Sequence, residues 1–542
     1  MSNKNNKYLV QGSILGIASI ISRFIGMLYR IPLTRIIGVD GMGTYSAAYE
    51  WYNLALLLSS YSIPLAVSKL VSAREMNKEY RNSYHIFKTA MVISASVGAL
   101  MFAVVYFGAS IWAKLSDYKS IEMPLRVLAP AIFVMAIMGV LRGLFQGKRT
   151  MIPTALSQLL EQIVNAGVSV AAAYLLMKQH NASPDITAYG ATGSTLGTLF
   201  GAIFGLMFLV LIFVVNRPIL KKRVAKDTTN HQESFGEAAK AIIFTAVPII
   251  ISQTAFQISG LIDTKLWGMY AESQGMEETV KNTVWGIYSG QYRLLTNVPI
   301  AIATALGTAV VPTLAAYYSK GKKEEVRSKV ANTMKFNMLI AFPSAIGLGV
   351  LAKPIITMLF GYSGDVNLSA NALRVGCIAV VLFALSTLTN GVLQGIDKMR
   401  VPVRHAFISL IIHIPLVLVM LFVLKVGIFG LVYGNITFAF VICVLNWVSI
   451  KKNLNYKQEV VRTFVLPGIA ASIMGVAAFF TYQLVYSLIA INSLSVLLTM
   501  IIAIAVYGIS IVLLKAVNEE ELLEMPKGYM LLRICRKLHL MK

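Results

Sequence analysis

Arginine is the side chain with the most chemistry to explain in this chain. Arg23 and Arg30 stand seven residues apart within the apolar stretch 8–37. That is roughly two helical turns and about 10 Å of rise, so a regular helix carries both guanidinium groups on one face. A charge near the middle of a membrane-spanning helix costs roughly 2.5–3.5 kcal/mol on insertion scales, and such a pair must face water, protein or an anionic partner rather than lipid. Gly26, on nearly the same side as Arg23, leaves room for a bulky ligand or a neighbouring helix. Arg293 opens Arg293-Leu294-Leu295-Thr296-Asn297-Val298-Pro299, with Asn297 one turn on along its face and Pro299 placed to open the helix. Guanidinium stays charged when partly desolvated, so an anionic partner suits such positions. The competing account has these arginines snorkelling to the interfaces or pairing with buried carboxylates.

Other polar residues within apolar runs are Glu50, Glu161 with Asn165, Asp263 with Lys265, Arg374, Asn390, His413 and Asn435. Glu50, in Tyr49-Glu50-Trp51-Tyr52, reads as an aromatic-belt position with a solvated carboxylate, or else as a coupling site for a proton or cation. Asp263 and Lys265 are expected near the outer interface, and Arg374 near the outer end of its helix. Glu161 and Asn165 share a face, as a buried hydrogen-bonded pair or a secondary ligand site. His413 reads as a satisfied core histidine.

No catalytic constellation emerges from this inventory, and neither metal nor cofactor is expected. The six histidines form no metal-spaced pair, and the three cysteines, Cys377, Cys443 and Cys535, are far apart. With no Walker sequence, any driving force is expected from a gradient, the membrane potential or disposal of the substrate. The chain is therefore read as something other than an enzyme.

These side chains need a frame, and composition supplies its class. At 57% hydrophobic and 13% charged over 542 residues, the chain is predicted to be an all-α polytopic membrane protein. Apolar runs place about fourteen transmembrane helices. The net charge of +24 does not imply nucleic acid, because Lys and Arg cluster in alternate loops, as in Arg217 to Lys226 and Lys320 to Arg327. That asymmetry predicts a multi-pass protein of the cell membrane with both termini cytoplasmic and the first helix retained.

An internal repeat organises the helices. Gly143-Leu144-Phe145-Gln146-Gly147 recurs as Gly391-Val392-Leu393-Gln394-Gly395, and the same separation relates Pro64 to Pro312. An even number of helices per unit makes the repeats parallel, which predicts two six-helix bundles, an N-lobe at 1–216 and a C-lobe at 238–452. A cytoplasmic linker at 217–237 joins them, helices 13 and 14 follow at 453–515, and 516–542 form a cytoplasmic or interfacial tail. Ser234 with Glu237 reads as a capping box, and the alternation of Leu531, Ile534, Cys535 and Leu538 with Arg533, Arg536 and Lys537 as a helix on anionic lipid headgroups.

Taken together, the 6+6+2 layout, Ser22-Arg23-x-x-Gly26, Arg35-Ile36-Ile37-Gly38, Arg293 and Leu306-Gly307-Thr308-Ala309-Val310-Val311-Pro312 resemble the MOP superfamily, in particular its lipid II flippase branch in Gram-positive bacteria. The resemblance implies a cationic cavity lined by helices 1, 2, 7 and 8, a polyprenyl-tail groove made by the last two helices, and a pyrophosphate held by Arg23 and Arg293 with Arg30 assisting. Family members place the second arginine one residue earlier, where this chain has Tyr29. They also carry an acidic residue soon after helix 1 and a basic one in helix 2, where Thr44 and Leu56 or Leu57 stand here. The implied function is translocation of an undecaprenyl-pyrophosphate-linked peptidoglycan precursor from inner to outer leaflet by alternating access. The implied partners are that lipid-linked anionic glycan, anionic membrane lipids and cell-wall synthesis proteins. Alternatives are another polyprenyl-linked polysaccharide precursor, a multidrug/cation antiporter of the same fold, or a non-transporting scaffold.

Overall fold

The computed structural model describes residues 2–229, 232–524 and 528–537. It divides into two compact units, Met1–Gly286 and Ile287–Lys542. Both are built from helices, as expected for a chain whose backbone polar groups must be satisfied without water.

The first unit contains α1 (Ser2–Leu28), α2 (Arg30–Leu56), α3 (Ile63–Met76), α4 (Tyr80–Phe107), α5 (Ala109–Leu115), α6 (Glu122–Gly147), α7 (Ile152–Gln179), α8 (Ile186–Ala225), α9 (Phe235–Ser273) and α10 (Glu278–Gly286). The second contains α11 (Arg293–Ser319), α12 (Lys323–Val350), α13 (Ala352–Phe360), α14 (Val366–Gly376), α15 (Ile378–Gly395), α16 (Arg400–Leu418), α17 (Phe429–Leu454), α18 (Leu466–Ile489), α19 (Asn492–Leu513), α20 (Glu519–Glu524) and α21 (Gly528–Lys537).

Twelve helical segments among the described residues are long and apolar enough to cross a membrane; the apolar segment Ile14–Leu28 is shorter. The 39-residue α9 stands outside those twelve. Arg30–Met76 counts as one segment because α2, the π-helical turn Leu57–Tyr61 and α3 follow one another with only Ser62 between; within α2 Gly38 alone, at φ 76° and ψ 171°, leaves the helical conformation. That conformation is open to glycine and costly for a residue with a Cβ, so Gly38 turns the chain without a loop.

The Gly-x-x-x-Gly pairs of the repeat do the same work in each unit. In the first, a Cβ on Gly143 would meet Val67 and Pro64 at 2.8–2.9 Å, and one on Gly147 would meet Val71 at 2.7 Å. In the second, a Cβ on Gly391 would lie 2.9 Å from the Gly307 carbonyl and one on Gly395 2.9 Å from Leu314. The glycines let α6 close on α3 and α15 close on α11, which is how apolar helices associate where hydrophobic burial gives no drive.

The segment between α8 and α9 is shorter than the 217–237 linker read from the sequence, since α8 continues to Ala225 and α9 begins at Phe235. Ser234 and Glu237 form the expected capping box. At the other end of the chain α21 is helical, with Leu532 packed into a cluster with Leu339, Val517 and Leu522. Lys335, almost fully buried on α12, donates to both Glu521 carboxylate oxygens at 2.7 Å. Part of the tail is thus anchored on protein. Leu538 lies outside the described residues.

Candidate functional site

The two N-terminal arginines meet different surroundings. Hydrogen bonding runs unbroken past Tyr29, whose N–H donates to Ile25 O and whose carbonyl accepts from Leu33, both at 3.1 Å. Arg23 is exposed and makes no hydrogen bond or ion pair among the described residues. Arg30 is half-buried, and its guanidinium lies over the rings of Tyr45 at 5.6 Å and Tyr49 at 5.8 Å, a cation–π enclosure within the first unit. Tyr29 and Tyr45 share a hydroxyl hydrogen bond at 3.2 Å, and Tyr49 reaches Thr198 at 3.3 Å. The Arg30 Nε is buried without an acceptor. Spacing on one helix showed the charges; the rings that surround Arg30 come from half a helix further on, and no local signal pairs them with it.

Gly26 serves the neighbouring helix: a Cβ there would lie 3.1 Å from Gln162 Oε1 on α7. Glu161 is held by Arg142, a residue that sequence reading missed because its apolar run hides a single basic residue. Arg142 donates to Glu161 at 2.8 Å and to Ser157 at 3.1 Å. Asn165, instead of joining Glu161, accepts from Ser169 at 2.9 Å. Glu50 is half-buried beside α9: a Cβ on Gly260 would stand 2.7 Å from its carboxylate. Asp263 is buried at 5% exposure, while Lys265 reaches Asp117 at 2.6 Å.

In the second unit Arg293 begins α11 directly after the π-helical turn Ile287–Tyr292, and its guanidinium lies 5.9 Å from the Tyr288 ring centre. A π-turn inserts one residue into the helical repeat and so re-aims the side chains beyond it by about 100°. Asn435 donates to the Tyr288 hydroxyl at 3.3 Å. Gln291 is fully buried in the same turn with neither amide atom hydrogen-bonded, an arrangement that costs roughly 1–3 kcal/mol. Asn297 is exposed on α11. Arg374 is exposed on α14 and donates to Asn371 at 3.1 Å. His413 is the satisfied core histidine expected, with Nδ1 at 3.0 Å from the Gly434 carbonyl.

Bundled helices, repeated glycine contacts and arginines set in apolar helices define an all-helical polytopic membrane protein. The chain belongs to the family described as polysaccharide biosynthesis protein, whose model matches residues 9–318, and residues 292–419 match the MatE model. It is 26% identical over 494 residues to the lipid II flippase MurJ of Bacillus subtilis, covering 86% of this chain and 87% of that one. Stage V sporulation protein B of the same organism is 23% identical, over 81% of this chain and 83% of its own. Among solved structures, lipid II flippase MurJ in an inward closed conformation superposes with a TM-score of 0.65 at 15% identity, covering 92% and 97% of the two chains. An inward-facing multidrug resistance MATE transporter of the MOP superfamily superposes with 0.63 at 15% identity, covering 83% and 99%.

Proposed function

We propose that this protein is a flippase that carries a polyprenyl-pyrophosphate-linked glycan, lipid II, from the inner to the outer leaflet by alternating access. The carrying observation is Arg23, an exposed guanidinium on an apolar helix with no anion among the described residues to pair it, which calls for an anionic ligand. Arg23 and Arg293 are the proposed pyrophosphate contacts. Arg30, enclosed by its tyrosines, adds positive potential. Similarity to a lipid II flippase along most of the chain supports this substrate class. Cation antiport loses one candidate site, because Glu161, a membrane carboxylate suited to bind a cation, already holds Arg142.

The test is a depletion strain complemented at ordinary expression. Arg23→Ala and Arg293→Ala are each expected to abolish complementation while membrane insertion is kept, with lysine rescuing in part because it lacks the bidentate fork. Lipid II is expected to accumulate on the cytoplasmic side. Normal growth with both alanine variants, or accumulation of a different lipid-linked glycan, would overturn the proposal.

A further inference from the structure

We propose that the cleft between α12, α14 and α18 binds an anionic phospholipid of the outer leaflet, with the lipid phosphate on Arg374 and an acyl chain along Phe479 and Phe480. The cleft has a volume of about 570 Å³ and is walled by Ile346, Val350, Val476, Phe479 and Phe480, with Arg374 as its one charged group. Phe480 and Val476 are 62% and 59% exposed, so the apolar wall lacks a covering side chain. Its floor is closely packed: a Cβ on Gly475 would lie 2.6 Å from Ile346, and one on Gly349 3.0 Å from Cys377 Sγ. The last membrane helix, α19, contributes nothing to the lining, so this cleft is separate from a groove between the last two helices.

Arg374 decides the ligand. Among the described residues its side-chain partner is the neutral Asn371 at 3.1 Å, and no carboxylate pairs with it. From Ile378 to Gly395 α15 rises roughly 26 Å, and Arg374 lies just before it on α14, so the two helices together span about one hydrocarbon thickness. A guanidinium at that height sits at the level of lipid phosphates if Gly395 lies at the opposite interface. From Ser472 to Phe480 the wall extends roughly 12 Å along α18, enough for the upper part of an acyl chain. One positive charge matches the net negative charge of an anionic phospholipid, which the choline of a zwitterionic one cancels, and the aromatic wall has no use for a soluble anion.

The experiment places photoreactive benzoyl-phenylalanine at Phe480 in the full chain, reconstituted into vesicles of phosphatidylcholine and phosphatidylglycerol in equal parts. Cross-linked adducts are identified by intact mass. Phosphatidylglycerol is expected to exceed phosphatidylcholine by about fivefold, the scale of one charge-assisted contact. Arg374→Gln is expected to bring the ratio to that of the bulk lipid, and Arg374→Lys to keep part of the enrichment. Excess inorganic phosphate should leave the ratio unchanged. Equal capture of both lipids, enrichment that survives Arg374→Gln, or loss to inorganic phosphate would each overturn the assignment. Arg374 is exposed, so its replacement should leave the thermal unfolding midpoint in place. The lipid readout is independent of transport, and the outcome is separable from that of the flippase proposal.

Discussion

The Arg142 guanidinium and the Glu161 carboxylate meet at 2.8 Å, joining α6 to α7, with both side chains largely buried at 11% and 16% exposure. Removing one member of such a pair leaves the other charge without compensation in a medium that solvates it poorly. Arg142→Gln and Glu161→Gln should each lower stability by about 3 kcal/mol, while a double replacement by apolar residues of similar volume should recover much of the loss. Denaturation of the purified variants in detergent checks this. A double variant whose loss equals the sum of the two single losses would show that the two groups act independently.

Gly43 packs against α10 so tightly that a Cβ on it would stand 1.9 Å from the Asn282 carbonyl oxygen and 3.1 Å from the Gly286 amide nitrogen. Backbone cannot give way as a flexible side chain can, so Gly43→Ala should destabilise by about 2–3 kcal/mol. Gly16 on α1 has nothing within 4 Å of a Cβ, and Gly16→Ala should be neutral or stabilising by about 0.5–1 kcal/mol through helix propensity. Thermal unfolding of the two variants side by side gives the comparison, and equal midpoints would contradict the packing argument.

Asp227, between α8 and α9, accepts hydrogen bonds from the Arg81 N–H and from the N–H and hydroxyl of Thr229. Burial alone would raise its pKa, but these hydrogen bonds outweigh that effect and hold the carboxyl below the usual range. A group depressed in the folded state stabilises above its unfolded pKa, near 3.9, and that contribution fades as pH falls through the lower folded value. Asp227→Asn should therefore speed proteolytic cleavage around 226–234 at neutral pH. The difference from the natural chain should close at acid pH, measured with an acid-active protease. A gap that widened on acidification would mean that the hydrogen bonds do not favour the ionised form.

Much of the frame was legible in the sequence because bilayer physics is one-dimensional. Apolar runs, the clustering of Lys and Arg, and the glycine pairs at Gly143 and Gly391 are local patterns, and they suffice to define an all-helical membrane protein with an internal repeat. The Ser234–Glu237 capping box and the core role of His413 follow from equally local chemistry.

Partnership, by contrast, was decided by the tertiary structure. The sequence put Arg23 and Arg30 on one helix face; packing left Arg23 exposed and enclosed Arg30 between Tyr45 and Tyr49. It showed Glu161 beside Asn165, whereas the folded unit gives Glu161 to Arg142, nineteen positions away on another helix. It placed Arg374 near a helix end, and only the approach of α18 made that position the edge of an apolar cleft. A charge inside a membrane announces its cost from sequence alone, but the group that offsets this cost is set by which helix faces meet, and residue spacing along one helix does not encode that.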